Sequence, residues 1–271
     1  MQSDFLCVLV PYFEAGDKLL VSLSSIEQGS LQPHIVLVDD GSKVIPARSM
    51  LEKYKGHLEI TLIELAENRG IAVALNHGLD YAKDHWELIA RLDCGDLCKS
   101  DRLRKQSNFL IEHPNCMMLG SWATFVDEKG DEVFLLQQPA NHDSILKAMR
   151  INCAFTHPTI ILRSCVVREL GSYPTNYAAA EDYAYFFAIV SRYSTANFSE
   201  PLVSCLVDPN GISSIKRRTQ ILSRIRLMWK YYDWSALATY GILRAFILLL
   251  LPRSASLALN RFKQILMARS R

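Results

Sequence analysis

Ile-Ala-Arg-Leu-Asp-Cys-Gly-Asp (89–96) is a short apolar run that ends in a turn carrying two carboxylates. A run of this length, bounded by turn residues, reads as a buried strand. The turn after it offers the oxygen ligands that hard cations and phosphate-bearing substrates use. Two upstream stretches are built the same way. Residues 5–11 are apolar and lead into Pro11-Tyr-Phe-Glu14, and residues 35–38 are stopped by Asp39-Asp40-Gly41-Ser42. Between and after them come helical patterns, with Leu19, Leu20, Leu23 and Ile26 in one segment, then residues 48–54 and the Ala/Leu-rich 71–82. Residues 58–63 read as another strand. Strands alternating with helices of about a dozen residues predict right-handed βαβ units and a mostly parallel sheet flanked by helices. Ligands of such sheets bind beyond the carboxyl ends of the strands, which puts all three polar clusters on one rim.

After residue 115 the rhythm changes. Residues 116–126 and 132–136 flank Asp127-Glu-Lys-Gly130 and predict a hairpin. Residues 143–149 and 181–191 read as helices, 159–162 and 201–207 as extended. Asp101 is placed to cap a helix running to Glu112. From residue 216 to 271 the chain carries twelve Lys and Arg against one acid, Asp233. That segment is +11, so the first 215 residues carry −9 of the formal +2. We therefore divide the chain into a body, 1–214, and a basic amphipathic helical tail, 215–271. Within the tail, residues 217–232 predict a basic helix and 236–251 an apolar one too short to span a bilayer. An interfacial helix on an anionic membrane surface fits that pattern, and a helix capping the core is the alternative.

Apolar content of 49% and charged content of 21% suit a folded domain with one large core. Seven scattered cysteines without a C-x₂-C pair argue against zinc and for a reducing compartment. The N-terminus has no basic n-region before its first apolar run, so the body is expected to be cytoplasmic, and the basic tail 215–271 to hold it peripherally on the inner face of the cytoplasmic membrane. No G-x-G-x-x-G or Walker loop is present, which disfavours dinucleotide oxidoreductases and P-loop NTPases. No nucleic-acid partner is expected.

Three further groups carry chemistry. Arg69, in Glu67-Asn-Arg-Gly70 before a predicted helix, suits a phosphate, or is a surface residue beside a simple cap. Glu181 and Asp182 open a helix, where acids also complement the macrodipole; one of them is positioned to serve as a general base. His157, on a loop, is a candidate for binding the acceptor or a phosphate, or a structural histidine.

The order and spacing of these parts resemble the family 2 glycosyltransferases, whose fold is GT-A, a Rossmann-like α/β architecture. The matching stretches are residues 8–14, 35–42, 67–76, 89–96, 157–163 and 181–183. The resemblance implies a nucleotide-sugar site made by Pro11, Phe13, Glu14, Asp39, Asp40, Arg69, Arg91 and Asp93. Phe13 would stack on the base, Asp39 or Asp40 would read base and ribose, and Asp93 would begin the D-x-D element. It implies Mg²⁺ or Mn²⁺ at Asp93 and Asp96, with Gly95 standing where the second acid of D-x-D is usual. It also implies Asp182, with Glu181 beside it, as the catalytic carboxylate of an inverting enzyme. The expected reaction moves a sugar from a nucleotide diphosphate to a hydroxyl of a lipid-linked glycan acceptor, in bacterial polysaccharide, O-antigen or lipopolysaccharide assembly. A non-catalytic binding relic of the same fold and a sugar nucleotidyltransferase are the alternatives.

Overall fold

The computed structural model describes residues 2–207 and 216–251. Strands β1 (Gln2–Tyr12), β2 (Gln32–Asp39), β3 (Ile60–Glu64) and β4 (Leu88–Arg91) pair in the order β3-β2-β1-β4, all parallel. Helices α1 (Lys18–Glu27), α2 (Ala47–Leu51) and α3 (Ile71–Ala82) connect them. The strands read as apolar runs because both of their faces are covered. Leu6, Val8, Val10, Ile35, Leu37 and Ala90 face a core closed by Leu19 and Leu23 of α1 and Met50 of α2. Cys7, Leu9, Val36, Val38 and Ile89 alternate with them and pack on Ala74, Leu75 and Leu79 of α3. Each large side chain so buried contributes roughly 1.5–3 kcal/mol.

The second half adds β5 (Leu97–Cys98), α4 (Arg102–Glu112), β6 (Cys116–Val126), β7 (Glu132–Leu136), α5 (His142–Met149), a 3₁₀ turn at His157–Thr159, β8 (Ile161–Arg163), α6 (Ser164–Leu170), α7 (Glu181–Val190) and β9 (Ser194–Leu206). The sheet continues β4-β8-β6-β9-β5, with β7 paired to β6 as the predicted hairpin. Here β6–β9 is parallel, while β4–β8, β6–β8 and β5–β9 are antiparallel. The parallel character read from the βαβ rhythm thus belongs to the first four strands, and the sheet as a whole is mixed. Asp101 sits at the N-cap position of α4 without capping it by a side-chain bond. Its carboxylate pairs with Lys105 instead, at 2.6 Å.

Two helices complete the described chain, α8 (Arg217–Lys230) and α9 (Ala236–Leu250). They run antiparallel, and Arg217 at the start of α8 donates to the carbonyls of Leu248 and Leu251 at the end of α9. Their inner faces pack on the body. Ile221, Ile225, Leu227 and Met228 of α8 and Ala238, Ile242 and Ala245 of α9 are buried. Tyr231 stacks on Phe187 of α7 with ring centroids 4.1 Å apart. The basic stretch 255–267 of the tail lies outside the described residues.

Candidate active site

Parallel pairing aligns the carboxyl ends of β1, β2 and β4, since Tyr12 registers with Asp39 and Leu9 with Arg91. The three polar clusters predicted on one rim are therefore neighbours. Phe13 projects there half exposed, at 49%. Pro11 accepts a hydrogen bond through its carbonyl from the Cys94 thiol at 3.3 Å, tying β1 to the β4 turn.

The acids of this rim shape its loops. Glu14, with φ +48°, accepts from the backbone N–H groups of Lys43 (2.6 Å), Val44 (3.0 Å) and Ile45 (2.6 Å). Those amides, that of Val44 foremost, hold its carboxyl below the usual range. Buried Asp39 accepts from Ser42 N (2.9 Å) and from Ala47 N (2.8 Å), the first residue of α2. Buried Asp40 accepts from Arg69 N (2.9 Å) and Gly70 N (2.8 Å), which fixes the segment entering α3. Arg69 itself is exposed on the rim. Gly41 makes room for the chain itself, because a Cβ there would lie 2.3 Å from the backbone of Glu67. A carboxylate offers about four acceptor sites, so Asp39 and Asp40 each retain capacity after these bonds.

The turn after β4 is closed by an Asp96 N–H to Asp93 carbonyl bond of 3.1 Å, and Gly95 within it has φ +97°. Ser22 of α1 holds the turn from below. Its hydroxyl donates to the Asp96 carbonyl (2.8 Å) and accepts from Gly95 N (2.9 Å). Asp96 is buried and accepts from Leu206 N at 2.9 Å through Oδ1. Burial, with the charge of Asp93 adding to it, pushes its carboxyl up to about 7. Asp93 is a third exposed and accepts from Nη2 of Arg91.

Among the described residues no group of three His, Cys, Asp or Glu is placed to hold a metal ion. Mg²⁺ keeps several waters and needs only one or two carboxylates when substrate phosphates supply the rest. Of the two acids on this turn, Asp93 is a third exposed and Asp96 is buried with Oδ1 on Leu206 N, so an ion here would draw most of its ligands from substrate phosphates and water.

Arg91 joins this turn to the other side of the site. Its guanidinium is buried, with Nη2 on Asp93 and Nη1 on Nε2 of His157. Tyr173 reaches the same Nε2 with its hydroxyl at 2.9 Å. Burial and the Arg91 charge push His157 well below its usual range, so the ring is neutral. Arginine has no acceptor, so Nε2 accepts and the ring proton sits on Nδ1. Beyond Tyr173 lies the N-terminus of α7. Asp182 accepts from Tyr183 N at 2.7 Å, and Glu181 is next to it. Burial raises the carboxyl of Asp182, opposed by the charges of Arg224 and Arg91 and by the Tyr183 N–H. Burial and the adjacent Asp182 raise Glu181.

Reasoning from sequence missed Tyr173, Ser22, Asn76 and Arg224. Ser22 shares α1 with Ser24 and Ser25, and Asn76 shares α3 with His77 and Asp80, so their own helices do not single them out. Nothing local distinguishes Tyr173 or Arg224 either.

Residues 7–170 match the family described as Glycosyl transferase family 2, and the chain belongs to that family. It is 26% identical over 260 residues to the amylovoran biosynthesis glycosyltransferase AmsE of Erwinia amylovora, covering 95% of each chain. It is 25% identical over 233 residues to an Escherichia coli enzyme, the UDP-Gal:alpha-D-GlcNAc-diphosphoundecaprenol beta-1,3-galactosyltransferase, covering 83% of this chain and 82% of that one. Among solved structures, Staphylococcus aureus TarS 1–349 in complex with UDP-GlcNAc superposes with a TM-score of 0.65 at 16% identity. That match spans 88% of this chain and 69% of TarS. The fold is GT-A, and the protein is a glycosyltransferase.

Proposed function

We propose that the enzyme transfers a sugar from a nucleotide-diphosphate donor to a hydroxyl of a lipid-linked glycan acceptor, with inversion at the anomeric carbon. The observation that carries this is Arg91. One buried guanidinium touches Asp93, at the donor's diphosphate end, and the His157–Tyr173 wall that leads to Asp182. The base would stack on Phe13, with Pro11, Glu14, Asp39, Asp40 and Arg69 lining the nucleotide. His157 would flank the acceptor.

Asp182 takes the hydroxyl proton as the acceptor oxygen attacks the anomeric carbon opposite the diphosphate, while Glu181 lines the same helix terminus. The bond from that carbon to the diphosphate oxygen breaks, and its electron pair leaves with the nucleotide. A carboxyl raised by burial is a better proton acceptor than an exposed one, which suits the step. A bound Mg²⁺ or Mn²⁺ would neutralise charge on the leaving diphosphate. The name of the E. coli relative specifies UDP-Gal and an alpha-D-GlcNAc-diphosphoundecaprenol acceptor, and that of AmsE the biosynthesis of amylovoran. We extend the same class of donor and acceptor to this chain, in bacterial polysaccharide, O-antigen or lipopolysaccharide assembly, and place the enzyme at the inner face of the cytoplasmic membrane.

Asp182→Asn is expected to lower turnover by about 10²–10⁴-fold with the donor Kd unchanged. NMR of the product should show the anomeric configuration opposite to the donor's. Undiminished turnover in Asp182→Asn sinks the base assignment.

A further inference from the structure

We propose that the outward face of α9, together with the tryptophans at its junction with α8, docks on an anionic bilayer and so seats the acceptor end of the cleft at the membrane surface. The second half of this statement rests on the reading of Asp182 as the acceptor-side base.

The two faces of α9 are unlike. Ala238, Gly241, Ile242 and Ala245 are locked to the body, and Gly241 lies so near that a Cβ would come within 2.0 Å of the Arg150 carbonyl. The opposite face presents Tyr240, Leu243, Phe246, Ile247 and Leu250, from 43% to 84% exposed. Their spacing of three and four residues makes one continuous stripe. Trp229 and Trp234, 55% and 86% exposed, lie at the junction. Scattered exposed apolar residues are ordinary, whereas a contiguous helical stripe of them marks an interaction surface.

Charge selects the occupant. Residues 216–251 carry seven Lys and Arg against one acid; Arg217, Arg224 and Arg226 are turned to α9 and the body, which leaves Lys216, Arg218, Lys230 and Arg244 for the outer surface. That acid, Asp233, is turned away to an ion pair with Arg150 of the body. A second copy meeting this hairpin face to face would set cations against cations with no acids to pair. Anionic headgroups meet the same charge favourably, about 1 kcal/mol for each cation near the surface. No helix among the described residues is long and apolar enough to cross a membrane. A helix with one locked face and one apolar face lies in the interface.

The hairpin also borders the acceptor side. The hydroxyl of Ser223 on α8 donates to Ala178 O at 2.9 Å, and Arg226 reaches Asn176 O at 3.4 Å. Both carbonyls belong to the segment that leads into α7. Arg224 bonds Asn152 at 3.1 Å, and its charge is the largest of those that oppose the effect of burial on Asp182. A glycan on a lipid carrier would therefore meet Asp182 without its lipid leaving the bilayer.

The test is flotation of the full-length protein with phosphatidylglycerol/phosphatidylcholine vesicles and with phosphatidylcholine vesicles alone. Wild type should float with the anionic vesicles. Leu243→Glu combined with Ile247→Glu should weaken that binding by about tenfold or more, with the melting temperature and donor Kd unchanged. Ile111→Glu, at a residue equally open on α4, should leave it as in wild type. Asp182→Asn should float normally yet not transfer, which separates failure of the docking surface from failure of the catalytic assignment. Vesicle binding unchanged in the Leu243/Ile247 variant overturns the proposal. So does a dimer that this variant splits while wild type ignores vesicles, since the face then belongs to a second copy.

Discussion

At Gly95 the chain turns with φ +97°, its N–H held by the Ser22 hydroxyl and by the Lys18 carbonyl at 3.2 Å. A residue with a Cβ is strained in that conformation whatever its chemistry. Space is not the difficulty, because a Cβ would meet Leu206 and Lys18 side chains at 3.4 Å, ordinary contact. Gly95→Asp, which restores the usual D-x-D acid, and Gly95→Ala should therefore both lose about 1–3 kcal/mol in urea melts. A much larger loss for Asp would mean that charge, not backbone, keeps glycine there. The neighbouring Asp96 supplies a pH test. Its folded carboxyl lies near 7 against an ordinary 3.8, so the protonated form is the one the fold prefers. The stability this confers is fully present below pH about 4 and is lost as pH rises through about 7. Asp96→Asn never ionises, so its melting temperature should match wild type near pH 4 and exceed it increasingly up to pH 7. Mn²⁺ with a nucleotide diphosphate should narrow that gap at pH 8, because a cation favours the carboxylate. A gap independent of pH contradicts the ionisation assigned here.

Between residue and fold, the element that matters most is the segment from Gly171 to Ala180, which delivers Tyr173 and Asp182. Asn76 of α3 clamps it, donating through Nδ2 to Tyr173 O at 2.9 Å and accepting from Tyr173 N at 2.7 Å. Asn76→Ala strips both backbone groups of their partner, at a cost of about 1–3 kcal/mol. We expect kcat to fall while the donor Kd holds, since on the proposed reading the clamp orders the segment that leads to Asp182; a weakened donor Kd would show that the effect passes through Tyr173, His157 and Arg91 to the donor end. This clamp also marks where the sequence stops being readable. Local period and turn chemistry reveal α3, the β6–β7 hairpin and α7, because each follows from its own residues. The two-residue β5, the insertion of β8 between β4 and β6, and α6 depend on partners far along the chain. The same division runs through the site. Asp39, Asp40 and Glu14 are legible as acids at strand ends. That their oxygens hold the loops at 42–47 and 69–70 is not, because those bonds arise only once β1, β2 and β3 are side by side. Tyr173 and Arg224 become site residues purely through packing.

For the molecule as a whole, the question is whether the α8–α9 hairpin is an appendage or a wall of the active site. Its packing argues for a wall. Gly241 seats α9 against the Arg150 and Ile151 backbone, the Asp233–Arg150 pair pins the turn between the helices, and α8 lies along residues 176–178. Gly241→Val puts atoms within 2.0 Å of a backbone carbonyl that no rotamer change can move. The helix must lift, at a cost of about 1–3 kcal/mol or more. Lifting α9 draws α8 with it, and α8 carries Arg224, whose charge counters the burial of Asp182. With Arg224 withdrawn, the carboxyl of Asp182 rises further, and the acid limb of the kcat profile should move to higher pH. The donor end stands on β1, β2 and β4, so nucleotide-sugar donor binding should be unchanged by calorimetry. Lower kcat, a shifted acid limb and an intact donor Kd would establish the hairpin as part of the acceptor site. An unshifted limb would reduce it to a scaffold.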